Sequence, residues 1–175
     1  MDSHTLDIVA ESLTADNRCQ AVILCGISGS GKTHFANILE QKGWLRISID
    51  HLTRQMYGKA FDDLPTETQK TITENAEKEM AQRMTTQIAA GHRVVADGCL
   101  CKRSKRDFIR DILLKHGIHP TLVYLKASFE DSLIRINKRN GLSPDEIIVS
   151  EDMLKHFFAN FQDPDPTEKA IVINT

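Results

Sequence analysis

The chain has 175 residues, 41% of them hydrophobic and 26% charged, with 22 Lys plus Arg against 24 Asp plus Glu for a net charge of -2. That is the composition of an ordinary globular protein, long enough for one core burying about 70% of the surface its unfolded chain exposes, which excludes collagen-like and disordered classes and predicts one domain. A near-neutral balance gives no general basic field to hold a nucleic-acid backbone.

No apolar run approaches the roughly 20 residues of a membrane span. The opening MDSHTLD also lacks the basic and apolar regions of a signal, so a cytoplasmic protein without a membrane partner is expected. The cysteines Cys19, Cys25, Cys99 and Cys101 have no metal-site or redox spacing and read as reduced thiols, with Cys25 in a buried strand.

In chain order, residues 1–19 carry a weak helical pattern at Leu6, Val9, Ala10 and Leu13 and read as an N-terminal arm on a domain spanning 20–175. From Gln20, strand-like runs AVILC, WLRISI, RVVAD, TLVYLKA and AIVINT are separated by the helical stretches HFANILEQKG, Thr66 to Ala90, SKRDFIRDILLKHG, SFEDSLIRINKRNG and SEDMLKHFFANF. The pattern reads as a β-α unit repeated five times with a closing strand. Ile72, Ala76, Met80, Met84 and Ile88 recur at every fourth position, and Leu154, Phe157, Phe158 and Phe161 share one helical face. Thr66 with Gln69, Ser104 with Asp107 and Ser128 with Asp131 have capping-box spacing, while Gly43, Gly91, Gly117 and Gly141 stand where helices should stop. The strands are nearly continuous apolar runs, which predicts parallel strands buried on both faces and a three-layer α/β domain.

GISGSGKT matches the phosphate-loop pattern, with Gly26, Gly31, Lys32 and Thr33 in the required places between a strand and a helix. The chemistry needs such residues: glycines let the backbone N–H groups of Gly26, Ser28, Gly29, Ser30 and Gly31 approach the phosphates of ATP, and the helix start adds a positive dipole. Lys32 is expected to span the terminal phosphates and Thr33 to ligate Mg²⁺. Asp50, expected at the carboxyl end of the second strand, is placed to accept the proton of an acceptor hydroxyl; its alternative is a helix N-cap. Arg54 is a candidate for an anionic group on the acceptor, or a surface charge.

Asp97 ends an apolar strand before Gly98 and is a candidate Mg²⁺ or substrate ligand, with a structural turn as the alternative. Lys102, Arg103, Lys105, Arg106 and Arg110 read as a solvated helix start, since Asp107 and Asp111 interrupt them; the alternative is an entry lined for an anionic acceptor. Arg135 and Arg139 lie one turn apart and suit the charge of a moving phosphoryl group, as a lid; the alternative is an exposed helix whose arginines pair with Glu130 and Asp131. The absence of an Asn-Lys-x-Asp string or a water-activating motif favours ATP and an acceptor over GTP and water.

GISGSGKT, ISID followed by Arg54, VVADG and RINKRN together resemble the small P-loop kinases of the nucleoside-monophosphate-kinase-like fold, in particular AAA_33-type ATP-binding kinases and the kinase domain of polynucleotide kinase. The resemblance covers about Gln20 to Thr175. It implies a three-layer α/β/α P-loop NTPase fold with a five-stranded parallel sheet ordered 2-3-1-4-5, Asp50 as the base, and a lid near 128–150 bearing Arg135 and Arg139. Polynucleotide kinases tend to have an Arg three residues after the base, where this chain has Thr53. That departure, with the net charge, favours a small-molecule hydroxyl as the acceptor. The alternatives are a polynucleotide 5′-hydroxyl, or a nucleotide-binding module that hydrolyses ATP slowly and signals through a partner.

Overall fold

The computed structural model of the protein describes residues 3–57, 64–98, 100–139 and 149–175. Five strands, β1 (Ala21–Cys25), β2 (Leu45–Ser48), β3 (Val94–Asp97), β4 (Thr121–Lys126) and β5 (Ile171–Asn174), form one parallel sheet ordered β2-β3-β1-β4-β5. The fold is the expected α/β/α P-loop architecture. Around the strands lie α1 (Ser3–Ala15), α2 (Lys32–Gln41), α3 (Ile49–Tyr57), α4 (Thr66–Ala89), α5 (Arg103–Lys115), α6 (Phe129–Arg139) and α7 (Glu151–Asn160), with a 3-10 turn at Pro166–Glu168.

The continuous apolar strands serve two cores because successive side chains point to opposite faces. Ala21, Ile23 and Cys25 of β1 join residues of α3, α4 and α5, including Leu52, Met80, Met84, Ile109 and Leu113. Val22 and Leu24 join the other core, with Phe35 and Leu39 of α2 and with Leu6, Ala10 and Leu13 of α1. The weak N-terminal pattern is thus a helix whose apolar stripe is part of that core. Trp44 Nε1 ties the end of α1 down by donating to Thr14 Oγ1 at 3.0 Å. Among the described residues no helix is long and apolar enough to cross a membrane.

The structure corrects several local expectations. The five strands are those expected, but the β-α alternation breaks twice, at α3 followed by α4 and at α6 followed by α7. Residues Ile49 to Tyr57 form α3, a helix that the sequence offers only as the N-cap alternative for Asp50, with Ile49, Leu52 and Thr53 buried at i, i+3, i+4 spacing. Thr66 and Ser104 do not cap: α4 starts after Pro65 and α5 after Lys102, neither with a side-chain cap. Ser128 does cap, its Oγ accepting from Asp131 N at 3.0 Å. Gly43, Gly91 and Gly117 follow helix ends with φ of 88°, 89° and 74°, whereas Gly141 lies outside the described residues.

The largest correction concerns the basic stretch from Lys102 to Arg110. Arg106 is 0% exposed and makes a two-pronged bond to the buried Glu168 carboxylate, Nε to Oε2 at 2.7 Å and Nη2 to Oε1 at 2.8 Å. Its Nη1 donates to the carbonyls of Leu100 and Gln162, both at 3.0 Å. A guanidinium with five fixed donors can make these four bonds to three chain segments at once, one more than a lysine has donors. Arg106 therefore joins the segment after β3, the end of α7 and the 3-10 turn.

Candidate active site

The phosphate loop runs from the end of β1 to the start of α2. Gly26 has φ 154°, and a Cβ there would stand 2.5 Å from Ser30 Oγ and 2.6 Å from the Leu125 carbonyl oxygen. Gly29 has φ 82°, and its Cβ would meet the Ser132 carbonyl oxygen of α6 at 2.8 Å. Both positions require glycine because protein atoms, Ser30 and Leu125 for Gly26 and Ser132 for Gly29, approach too closely for a side chain. Gly31 caps α2 with φ 95°, and the helix's first bond is Phe35 N to Gly31 O at 3.0 Å. The N–H groups of Lys32, Thr33 and His34 precede that bond and stand at the positive end of the helix dipole. Ser28 is half-buried, and the buried Ser30 Oγ has no hydrogen-bond partner. Lys32 Nζ lies across the loop, donating to the carbonyls of Gly26 at 2.8 Å and Ile27 at 2.9 Å.

Parallel register sets the neighbouring carboxylates. Ser48 pairs with Asp97 at the carboxyl ends of β2 and β3, beside the loop. Asp97 is 5% exposed; Thr33 Oγ1 donates to its Oδ2 at 3.4 Å, and Arg46 Nη2 donates to the same oxygen at 2.5 Å. Arg46 Nη1 also donates to Asn37 Oδ1 at 2.9 Å, so α2 helps hold the guanidinium against Asp97. The close approach permitted by Gly98 is to Ile49, whose Cδ1 would be 2.5 Å from an added Cβ. That contact seats α3 against the end of β3.

Asp50 lies in the first turn of α3, two residues beyond the end of β2 rather than at the strand's carboxyl end. The capping position belongs to Ser48, whose Oγ accepts from His51 N at 3.3 Å. Asp50 is therefore not the N-cap. The residue is exposed, but the surrounding protein strips part of its carboxyl's hydration. That desolvation pushes its pKa above the usual value, and the charge of Asp97 pushes the same way; Lys32, Arg54 and Arg46 oppose both. Arg54 is half-buried, one turn further along α3.

Arg135 crosses from α6 to the loop, its Nη1 donating to the Gly29 carbonyl at 3.1 Å and to Thr175 Oγ1 at 3.3 Å. Asp131 instead bonds Ser128 Oγ at 2.6 Å, so pairing of Arg135 with the acidic first turn is not the arrangement found. Arg139 is half-buried one turn on, and the rest of the expected lid, 140–148, lies outside the described residues. The structure thus gathers Lys32, Thr33, Asp50, Arg54 and Asp97 at one sheet edge and sets Arg135 against the loop. Sequence reasoning missed Arg46, Ser48 and Thr175. Arg46 had a signal, being a charge inside an otherwise apolar strand.

The residues fit a nucleotide and Mg²⁺. The N–H groups of Lys32, Thr33 and His34 at the start of α2 and the unpartnered Ser30 Oγ suit phosphate oxygens, and Thr33 with Asp97 offers hydroxyl and carboxylate oxygens to a hard cation. Mg²⁺ takes few protein ligands beside substrate phosphates, and no cluster of three or more His, Cys, Asp or Glu suited to a metal occurs among the described residues.

Solved structures share the fold. A sugar kinase from Janibacter sp. superposes with a TM-score of 0.65 at 21% identity, covering 89% of this chain and 85% of that one. A gluconokinase from Sinorhizobium meliloti gives 0.59 at 22% identity, covering 90% and 84%. The APS kinase CysC of Mycobacterium tuberculosis, solved with AMPPNP and APS, gives 0.60 at 19% identity, covering 90% and 88%. No curated protein matches in sequence. The AAA_33 family, described as an AAA domain, matches residues 22–164, from the first strand through the loop, both carboxylates and the helix of Arg135, and the chain belongs to that family.

Proposed function

We propose that the chain is a phosphotransferase, dependent on ATP and Mg²⁺, that moves the γ-phosphate to a hydroxyl of a small molecule. The observation that carries this reading is Asp50, a carboxylate at the loop's edge with a raised pKa whose capping position is filled by Ser48. A carboxylate so placed takes the proton of an acceptor O–H as that oxygen bonds to phosphorus and the bond to the ADP oxygen breaks. Lys32 exchanges its two loop carbonyls for phosphate oxygens, and the loop N–H groups orient the chain of phosphates. Thr33 and Asp97 are the residues that would hold Mg²⁺, which when bound supplies neutralisation of phosphate charge. Arg135 and Arg139 add positive charge where negative charge spreads in transfer, with the lid formed by 128–150; Arg54 is assigned to an anionic group of the acceptor.

A small acceptor is favoured over a polynucleotide end by the state of the basic stretch. Arg103 pairs with Asp107 and Asp165, Lys105 with Glu77, Arg106 with Glu168, and Arg110 with Asp107. Cations already answered by carboxylates make a poor track for a phosphate backbone.

The test is ADP formation with ATP and Mg²⁺ across sugars, nucleosides, aminoglycosides and oligonucleotides with 5′-hydroxyl ends, using Lys32→Ala as the blank. Strong stimulation by one small acceptor, absent from the blank, is expected. Stimulation by the oligonucleotide alone would establish the polynucleotide reading. A slow background that no acceptor changes would leave a nucleotide-binding module.

A further inference from the structure

Thr175 follows the last residue of β5, and its backbone N–H extends the ladder by donating to the Lys126 carbonyl at 2.8 Å. That register sets its side chain beside the phosphate loop. Thr175 Oγ1 donates to the Ser30 carbonyl at 3.0 Å and accepts from Arg135 Nη1 at 3.3 Å. The same Arg135 nitrogen reaches the Gly29 carbonyl at 3.1 Å. Two successive carbonyls of the loop are therefore held from outside, by a hydroxyl from the sheet and a guanidinium from α6.

A trans peptide is planar, so its C=O and the N–H of the next residue point in opposite directions. Fixing the Gly29 carbonyl outward turns the Ser30 N–H inward, where it closes the loop on the Ile27 carbonyl at 3.1 Å. Fixing the Ser30 carbonyl outward turns the Gly31 N–H to the other side of the loop, beside the start of α2. We propose that Thr175 is a positioning residue for the nucleotide's polyphosphate: its hydroxyl holds the Ser30 peptide so that the Gly31 N–H is aimed before the ligand arrives, while Arg135 holds the peptide before it. It does so without touching base or sugar. The inference rests on the reading that this loop holds ATP, and its energetic basis is orientation set in advance rather than a new contact.

The test is calorimetric titration of the wild type, Thr175→Val and Thr175→Ser, each with Mg²⁺, using ATP in one series and inorganic tripolyphosphate in the other. Valine keeps the shape and removes the hydroxyl, so affinity should fall about 3- to 10-fold, the scale of one hydrogen bond, and by the same factor for both ligands. Serine should bind both within about twofold of the wild type, since it keeps the donor. Wild-type affinity in the valine variant overturns the inference. A loss confined to ATP also overturns it, by placing the hydroxyl against base or ribose. If the wild type binds neither ligand, the phosphate-loop reading falls and takes this one with it; if it binds both and valine changes nothing, only this inference fails.

Discussion

Replacing Arg106 by methionine removes a guanidinium with no solvent exposure and leaves the Glu168 carboxylate buried. Breaking a buried pair from one side destabilises by about 3–5 kcal/mol. Arg110 Nη2 remains 3.5 Å from Glu168 Oε2 as a partial counter-charge, which selects the low end, about 3 kcal/mol. At roughly 2–4 °C per kcal/mol for a chain of this size, the Tm should fall by about 6–12 °C.

The pH dependence has a definite sign. Burial alone would raise the Glu168 pKa, but the Arg106 hydrogen bonds and charge outweigh it and hold the carboxyl below its usual value of 4.5. The pair's stabilisation is thus present above that value and lost as pH falls through the depressed folded pKa. In the methionine variant the weakly answered carboxylate is instead pushed up, so the gap between variant and parent should narrow toward about pH 5. Thermal and urea unfolding at two pH values measure this. Arg106→Met with Glu168→Leu should recover part of the loss, because both charges are gone while the Leu100 and Gln162 carbonyls still lack the Nη1 donor. A single variant within about 1 kcal/mol of the parent, or a double variant no better than the single, would refute the reasoning.

Leu6→Ala should destabilise by about 2–5 kcal/mol in urea unfolding, since Leu6 is fully buried against α2 and β1; a loss under about 0.5 kcal/mol would make α1 a loosely attached arm. Gly29→Ala should weaken ATP binding by calorimetry at least tenfold, roughly 1.4 kcal/mol, because its Cβ would meet backbone of α6 at 2.8 Å. The raised pKa of Asp50 predicts that kcat/KM falls on acidification with a midpoint above the ordinary value of 3.8. The same shift means that folding stability contributed at this site is lost as pH rises through the folded pKa, so Asp50→Asn should melt higher than the parent at neutral pH.

Local pattern and context carried the phosphate loop, the parallel sheet, the end of β3 at Asp97 and the helix of Arg135 into the sequence reading. Each depends on residues near one another in the chain. What escaped depends on distance. Nothing around Arg106 announces Glu168, 62 residues later, and a run of five cations interrupted by aspartates looks solvated until its partners are placed. Thr175 is likewise an unremarkable polar residue until β5 pairs with β4 and brings its hydroxyl to Ser30, 145 positions earlier. Asp50 shows a subtler limit: Ser48 and Asp50 are both good capping residues, and only the start of α3 decides which one caps and which is left for chemistry.

The central claim is that Asp50 acts on the acceptor and not on the fold or the nucleotide. Its most direct test is Asp50→Asn with the acceptor that stimulates the wild type, measuring transfer and ATP affinity on the same preparation. The account predicts transfer reduced by on the order of 10²-fold or more with the Kd for ATP essentially unchanged. Undiminished transfer in a variant that still binds ATP would contradict it.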